Sequence, residues 1–75
     1  MIEVTVHYFA MLKEQKKVDR EIRAVPAGTT VNGLYAEMFE STHNIRFAIN
    51  EVFVPASTPL QNGDHVAFLP PLGGG

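Results

Sequence analysis

Residues 31–42 contain the pattern that most constrains the fold. Side chains at i, i+3, i+4, i+7, i+8 and i+11 share one side of the chain if it is helical: Val31, Leu34, Tyr35, Met38, Phe39 and Thr42. This spacing predicts an amphipathic helix. Thr29 or Thr30 can cap its first turn, and Asn44 is a suitable left-handed stop. Because such a helix must cover its apolar face, the rest of the chain has to supply a second layer.

The segments around this helix alternate between two faces, as β-strands do. Residues 10–17 contain good helix formers and predict a short helix after the first strand. Residues 65–69 are apolar on both faces apart from His65. A strand of that kind usually lies inside a sheet, so we expect it to be central and parallel to the first strand. The predicted strands are residues 2–9, 18–25, 45–49, 52–54 and 65–69.

This order of elements predicts a two-layer α+β domain, with a mixed sheet packed on one long amphipathic helix. The connectivity is that of a β-grasp, the ubiquitin-like fold. We expect residues 1–69 to form this domain and residues 70–75 to form a flexible C-terminal tail. The 75 residues include no cysteine. Disulfides, cysteine zinc sites and cysteine nucleophiles are therefore excluded.

Charge and hydropathy exclude further classes of protein. Six Lys and Arg against eight Asp and Glu give a formal net charge of −2, whereas nucleic-acid binders usually present a basic face. No apolar run approaches the roughly 20 residues that span a bilayer, and the N-terminal residues do not resemble a signal peptide. We therefore expect a soluble, cytoplasmic protein with neither a nucleic-acid nor a membrane partner.

The histidines do not predict a metal site. His7 and His65 lie on the first and last strands, which the proposed fold makes neighbours, but two histidines without a nearby carboxylate ligand bind metal poorly. His43 follows the predicted helix, where a basic side chain suits the helix dipole. We expect surface histidines and no bound metal.

Residues 70–75, Pro-Pro-Leu-Gly-Gly-Gly, are unlike the folded body. Two prolines favour extended backbone, and fully extended the six residues reach roughly 20 Å. Glycines without Cβ atoms can thread a narrow channel. A terminal carboxylate needs activation, for example by adenylation, and the chain has no phosphate-binding loop. The alternative interpretation is a frayed end.

Four segments resemble the MoaD family, the small subunit of molybdopterin synthase. The most specific are the Asn-Gly-Asp turn and the Phe-x-Pro-Pro-x-x-Gly-Gly ending. The resemblance covers nearly the whole chain, although Gly73 adds a third glycine and the segment between the long helix and Asn50 is short. The similar segments are residues 4–14, 48–50, 59–64 and 66–75.

This resemblance implies a sulfur carrier that is not catalytic by itself and has no bound cofactor. A MoeB-like adenylating enzyme would use ATP to activate the carboxylate of Gly75, which then becomes a thiocarboxylate. The carrier would dock on the MoaE-like large subunit, forming a hetero-oligomer in which Gly73 and Gly74 thread into the partner. Sulfur would then pass to cyclic pyranopterin monophosphate in molybdenum cofactor biosynthesis.

The resemblance also implies a docking surface near the tail. The matching positions are Phe9, Leu60 and Leu69, with Pro70, Pro71 and Leu72 leading into the partner. For the first three, ordinary core packing is an equally good interpretation, because large apolar residues are more often buried than exposed.

Two other functions stay open. A ThiS-like carrier for thiamin thiazole synthesis shares the fold and the Gly-Gly ending, but it usually lacks the helix predicted at residues 10–17. A ubiquitin-like protein modifier would form isopeptide bonds with lysines, and a simple binding module would not depend on the sequence of the tail.

Overall fold

The computed structural model describes residues 1–39 and 44–70, and these residues form strands and helices in the predicted order. Where strand boundaries differ from the prediction, they differ by one or two residues. For example, the second strand begins at Arg20 rather than at residue 18. The elements are β1 (Ile2–Tyr8), α1 (Ala10–Lys16), β2 (Arg20–Val25), α2 (Val31–Met38), β3 (Arg46–Ile49), β4 (Val52–Val54) and β5 (His65–Leu69).

The strands form one mixed sheet in the order β2-β1-β5-β3-β4. β5 pairs parallel with β1 and antiparallel with β3, so the last strand is central, as its two apolar faces predicted. The β1–β2 and β3–β4 pairs are antiparallel. This arrangement is the two-layer α+β, ubiquitin-like β-grasp fold, and the predicted fold class is confirmed.

The core lies between one face of the sheet and the helices. Phe68 of β5 is fully buried at its centre. Its ring makes edge contacts with the rings of Tyr35, Phe39 and Phe47. Leu12 of α1 belongs to the same cluster, so both helices pack on this side of the sheet. The buried residues alternate along β1, where they are Val4, Val6 and Tyr8, whereas in β3 the consecutive residues Phe47 and Ala48 are both buried.

Helix α2 is shorter than its periodicity predicted. Thr30 caps its N-terminus, with the side-chain oxygen accepting from the Gly33 N–H at 3.0 Å. The helix ends at Met38, and Phe39 has extended backbone with φ −134° and ψ 139°. The Phe39 ring packs against Tyr8, Tyr35 and Phe68, so core packing continues after the helix has ended. Residue 42 of the predicted helix lies outside the described residues, and the helix has already ended well before the predicted stop at residue 44.

Two tight turns, at residues 50–51 and at Gly63, precede β4 and β5. Asn50 and Glu51 both have positive φ, 52° and 70°, as a two-residue type I′ hairpin requires. Gly63 has φ 88°, a conformation that glycine adopts at little cost. The Gly63 N–H donates to the Glu3 carbonyl at 2.8 Å, and the Asn62 side chain accepts from the Glu3 N–H at 2.9 Å. This turn is therefore fastened to the start of β1.

Neither helix is long and apolar enough to cross a membrane, within the residues that the structure describes.

Candidate functional site

The sheet face opposite α2 is the candidate site, and we call it the open face. One row of residues crosses it in register, from Arg20 through His7, Ala67 and Ala48 to Phe53. The flanking rows bring further side chains to the same face. The open face comprises Thr5, His7, Arg20, Ile22, Arg46, Ala48, Phe53, His65, Ala67 and Leu69.

Two large apolar side chains of this face are exposed to solvent. Phe53 is 58% exposed, and the guanidinium carbon of Arg46 lies 4.4 Å from the centre of its ring. Ile22 is also exposed, near the opposite edge of the sheet. Exposed large apolar groups on one face are typical of an interaction surface. The open face is therefore suited to contact with another protein.

The predicted tail begins where the central strand ends. β5 ends at Leu69, and Pro70 after it is half-buried. Because β5 has a strand on each side, the chain leaves the sheet at the middle of its edge rather than at a corner. The remaining predicted tail residues, Pro71, Leu72, Gly73, Gly74 and Gly75, lie outside the described residues.

The structure separates the three predicted docking residues. Phe9 is 46% exposed at the N-cap of α1 and lines a surface depression beside His7. Leu69 is half-buried and follows Ala67 on the open face. Leu60 is only 4% exposed and belongs to the core cluster. For Leu60 the core interpretation is therefore the correct one, and its side chain offers a partner no surface in this structure.

His7 and His65 meet on the open face, as neighbouring strands predicted. His7 Nε2 lies 3.0 Å from His65 Nδ1, and the two rings stack with centres 5.3 Å apart. Burial, followed by the influence of His65 and Arg20, lowers the pKa of His7 below 6.5, while Asp19 acts in the opposite direction. We call these two residues the His pair.

The His pair does not belong to a larger ligand cluster. Among residues 1–39 and 44–70, no three His, Asp or Glu side chains are grouped closely enough to hold a metal ion. The pair instead lines the depression that also contains Phe9, Asn50 and Glu51. It therefore forms part of the open face between Phe9 and the β3–β4 turn.

Sequence reasoning missed Phe53 and Arg46 as surface residues. The signal was available, because the Asn50-Glu51 turn fixes the register and places Phe53 opposite Ala48. From that pairing, Phe53 lies on the same face as Ala67, opposite to the buried Phe68. The pairing with Arg46 depends on side-chain geometry, which alternation does not predict.

Comparison with known proteins supplies independent findings. Residues 6–75 match the ThiS family. The chain is 35% identical to the molybdopterin synthase sulfur carrier subunit of Mycobacterium tuberculosis, and the alignment covers all of both chains.

Solved structures share the fold. A protein assigned as molybdopterin converting factor subunit 1 of Pyrococcus furiosus is 26% identical, with a TM-score of 0.82 over 96% of this chain and 100% of that one. SAMP1 from Haloferax volcanii is 19% identical, with a TM-score of 0.79 over 97% and 99% of the chains. A complex of subunits 1 and 2 of the molybdopterin-converting factor from Helicobacter pylori gives 24% identity and a TM-score of 0.65, over 99% and 100%.

Proposed function

Because this chain belongs to the ThiS family of ubiquitin-like proteins, we propose that it is the sulfur carrier subunit of a molybdopterin synthase. The observation that carries the proposal is the route of the chain. The central strand β5 ends at Leu69 and is followed directly by a Pro-Pro-Leu-Gly-Gly-Gly segment. A rigid sheet therefore supports the base of a segment whose glycines can enter a confined active site.

The chemistry takes place at the carboxylate of Gly75. A carboxylate is a poor electrophile, so it first attacks the α-phosphorus of ATP to give an acyl-adenylate and pyrophosphate. A sulfide donor then displaces AMP and leaves a thiocarboxylate on the carbonyl carbon. A protein persulfide instead displaces AMP to give an acyl disulfide, and a thiol then cleaves its S–S bond, which releases the thiocarboxylate and forms a disulfide on the donor side. The lack of cysteine in the chain means that this sulfur comes from another protein or a small donor. Adenylation is assigned to a MoeB-like enzyme, because this chain has no phosphate-binding loop.

Docking uses the open face and the segment that follows it. Phe9 and Leu69 lie near the tail exit, and Pro70 leads from β5 into the tail. A partner that receives the tail must approach the edge where β5 ends, so it covers the part of the open face beside that edge. The Helicobacter complex of subunits 1 and 2 supports a MoaE-like large subunit as this partner.

The molybdopterin role is favoured over thiamin thiazole synthesis. The short helix α1 lies between β1 and β2, and the thiamin branch usually lacks a helix there. The name of the Mycobacterium relative supports the same choice. This chain shares its fold with SAMP1. At 19% identity that likeness concerns the fold alone, so it does not support a protein-modifier role.

The proposal is tested by mass spectrometry of the intact chain after incubation with the adenylating enzyme, ATP and a sulfur donor. We expect a mass increase that matches replacement of one oxygen by sulfur. A chain that lacks Gly75 and a chain with one residue appended after it should both keep the wild-type circular dichroism spectrum. Neither variant should support molybdopterin formation with the large subunit.

Retained synthase activity in both tail variants would refute the carrier role. Formation of isopeptide-linked conjugates in place of a thiocarboxylate would indicate a modifier. Co-purification with a thiazole synthase rather than with the large synthase subunit would assign the chain to the thiamin pathway.

A further inference from the structure

The His pair lies on the open face, and it has no role in the sulfur chemistry proposed above. His7 pairs across the sheet with Ala67, and His65 with Thr5. Both positions precede Leu69, after which the chain leaves the sheet. The pair therefore lies on the two strands next to the tail, with His7 level with Ala67 and His65 at the start of β5, four residues before Leu69.

The contact between the two rings depends on their protonation. At 3.0 Å, His7 Nε2 and His65 Nδ1 are at hydrogen-bonding distance, so one nitrogen donates and the other accepts. Two neutral imidazoles satisfy this requirement. If both rings are protonated, both nitrogens are donors, the hydrogen bond is lost and two positive charges face each other. Low pH therefore disfavours the close contact between the two rings that the structure shows.

Both positively and negatively charged side chains surround His7. Arg20 of β2 lies opposite it in register, and Lys13 of α1 and Asp19 line the adjoining depression with it. Burial, His65 and Arg20 together outweigh Asp19, so the pKa of His7 lies below its ordinary value of 6.5. Near neutral pH the His7 ring is therefore mainly uncharged.

Acidic side chains also lie near His65. Glu51 of the β3–β4 turn lines the same depression as the pair. Asp64 precedes His65, but its carboxylate accepts hydrogen bonds from the Asn50 side chain at 3.2 Å and the Gln61 N–H at 2.8 Å. Neither carboxylate has a hydrogen bond to an imidazole among the described residues. Glu21 of β2 lines a further depression with His65 and Arg20, and its carboxylate accepts from the Tyr8 hydroxyl. Asp19 favours a charged His7, but burial, His65 and Arg20 outweigh it.

The pair shares a depression with Phe9, which lies at the end of β1 level with the end of β5. His7, His65 and Ala67 line this depression together with Phe9. A partner that covers Phe9 and Leu69 to receive the tail extends over this depression. Its contact removes water from the imidazole rings.

We propose that the docking footprint of the large subunit extends from Phe9 across the His pair, and that the pair enters the interface uncharged, so that docking weakens as the solution becomes acidic. This inference rests on the function proposed above. The physical cause is desolvation, because moving a charged group out of water costs far more than moving a neutral, hydrogen-bonded one. A carrier whose pair is protonated must therefore release that proton when it docks.

The size of the effect follows from proton linkage. If only the uncharged pair docks, the dissociation constant rises by the factor 1 + 10^(pKa − pH) for each proton excluded. For one group whose free pKa is at or somewhat below that of an ordinary histidine, we expect docking to weaken by about three- to tenfold between about pH 8 and about pH 5.5.

The test measures the dissociation constant for the large subunit of the same organism across this pH range, by titration calorimetry. The variant His7→Gln, His65→Asn places neutral amides where the two contacting nitrogens lie, so it does not titrate. We expect it to bind with much less pH dependence than the wild type. His43→Gln removes the third histidine as a matched control and should keep the wild-type dependence.

The inference is overturned if the double variant keeps the wild-type pH dependence, or if wild-type affinity does not change with pH. Tighter binding in acid also overturns it and would indicate a partner carboxylate facing the pair. The NMR titration of the His7 ring supplies a second readout: its signals should titrate in the free carrier and stop titrating in the complex.

These results separate the inference from the proposed function. Binding that is independent of pH, together with thiocarboxylate formation, contradicts only the role of the His pair. Absence of binding at every pH contradicts the proposed partner, and the inference with it. Circular dichroism at each pH checks that loss of binding is not loss of fold.

Discussion

The two faces of the sheet differ in burial, although the same strands supply both. In β5, Phe68 is fully buried against aromatic rings, whereas its neighbours Ala67 and Leu69 belong to the open face. In β1, buried Tyr8 alternates with His7 in the same way. Because successive side chains of a strand point to opposite faces, the same strands can supply both the core and the docking surface proposed above.

The largest expected difference is in the free energy of unfolding, between variants of Phe68 and variants of Leu69. Phe68→Ala should reduce the free energy of unfolding by about 3–5 kcal/mol, because it leaves a cavity among buried rings. Leu69→Ala should cost less than about 1 kcal/mol of stability, since that residue is only half-buried. It should nevertheless weaken docking to the large subunit by about tenfold.

Urea unfolding and a binding titration measure both quantities. Because Phe68→Ala could leave too little stability for folding, Phe68→Leu provides a milder variant that should cost about 1.5 kcal/mol or less. Equal stability losses at positions 68 and 69 would contradict the assignment of the two faces.

The second prediction concerns Tyr8, a core residue with a polar end. Its hydroxyl donates to Glu21 Oε1 at 2.6 Å. Tyr8→Phe should cost about 1 kcal/mol, at the low end for a bond to a charged group, because the Glu21 side chain is about one third exposed. Burial, and then the hydrogen bond to Glu21, raise the pKa of Tyr8 above its ordinary value of 10.0.

The direction of the pH effect follows from this shift. The folded state holds the phenol proton more tightly than the unfolded state, so the stabilisation is complete below pH 10.0 and is lost as the pH rises further. We expect the stability advantage of the wild type over Tyr8→Phe to shrink above that pH in urea unfolding series. A constant difference across the alkaline range would show that the two states hold this proton equally.

The smallest expected effect is on the open face. Arg46→Gln removes the cation from the Phe53 ring and should change the free energy of unfolding by about 0.5 kcal/mol. The pair is exposed, so the fold does not depend on it. Urea unfolding gives the value, and Arg23→Gln, which removes a cation that lies 3.7 Å from Glu21, serves as a comparison for loss of an ion pair elsewhere on the sheet. A loss above about 2 kcal/mol would mean that this face also stabilises the fold.

Most of the fold was predictable because its signals are local or alternating. The Asn-Gly-Asp turn, in which Gly63 has positive φ, follows from short-range sequence. The central place of β5 followed from its two apolar faces, although His65 and Leu69 lie on a face that is open here. The end of α2 could not be predicted, because Phe39 keeps the helical spacing while its backbone is extended.

The sequence predicted several residues of the candidate site, but it predicted less well how exposed they are and how far apart they lie. Resemblance pointed to Phe9, Leu60 and Leu69 alike, yet only tertiary packing distinguishes buried Leu60 from exposed Phe9. Strand order predicted that His7 and His65 are neighbours. The distance between the two nitrogens depends on side-chain rotamers, which no sequence pattern determines.

The position of β5 also has a consequence for how the chain folds. The β1–β2 pair and the β3–β4 pair are each formed from nearby segments, but only β5 joins them, and its pairing with β1 connects Thr5 to His65. Contacts between segments this distant in sequence slow folding. The sheet is therefore continuous only once the last strand has paired. If the chain is a sulfur carrier as proposed, an enzyme that recognises the continuous sheet would act only on chains that have completed folding.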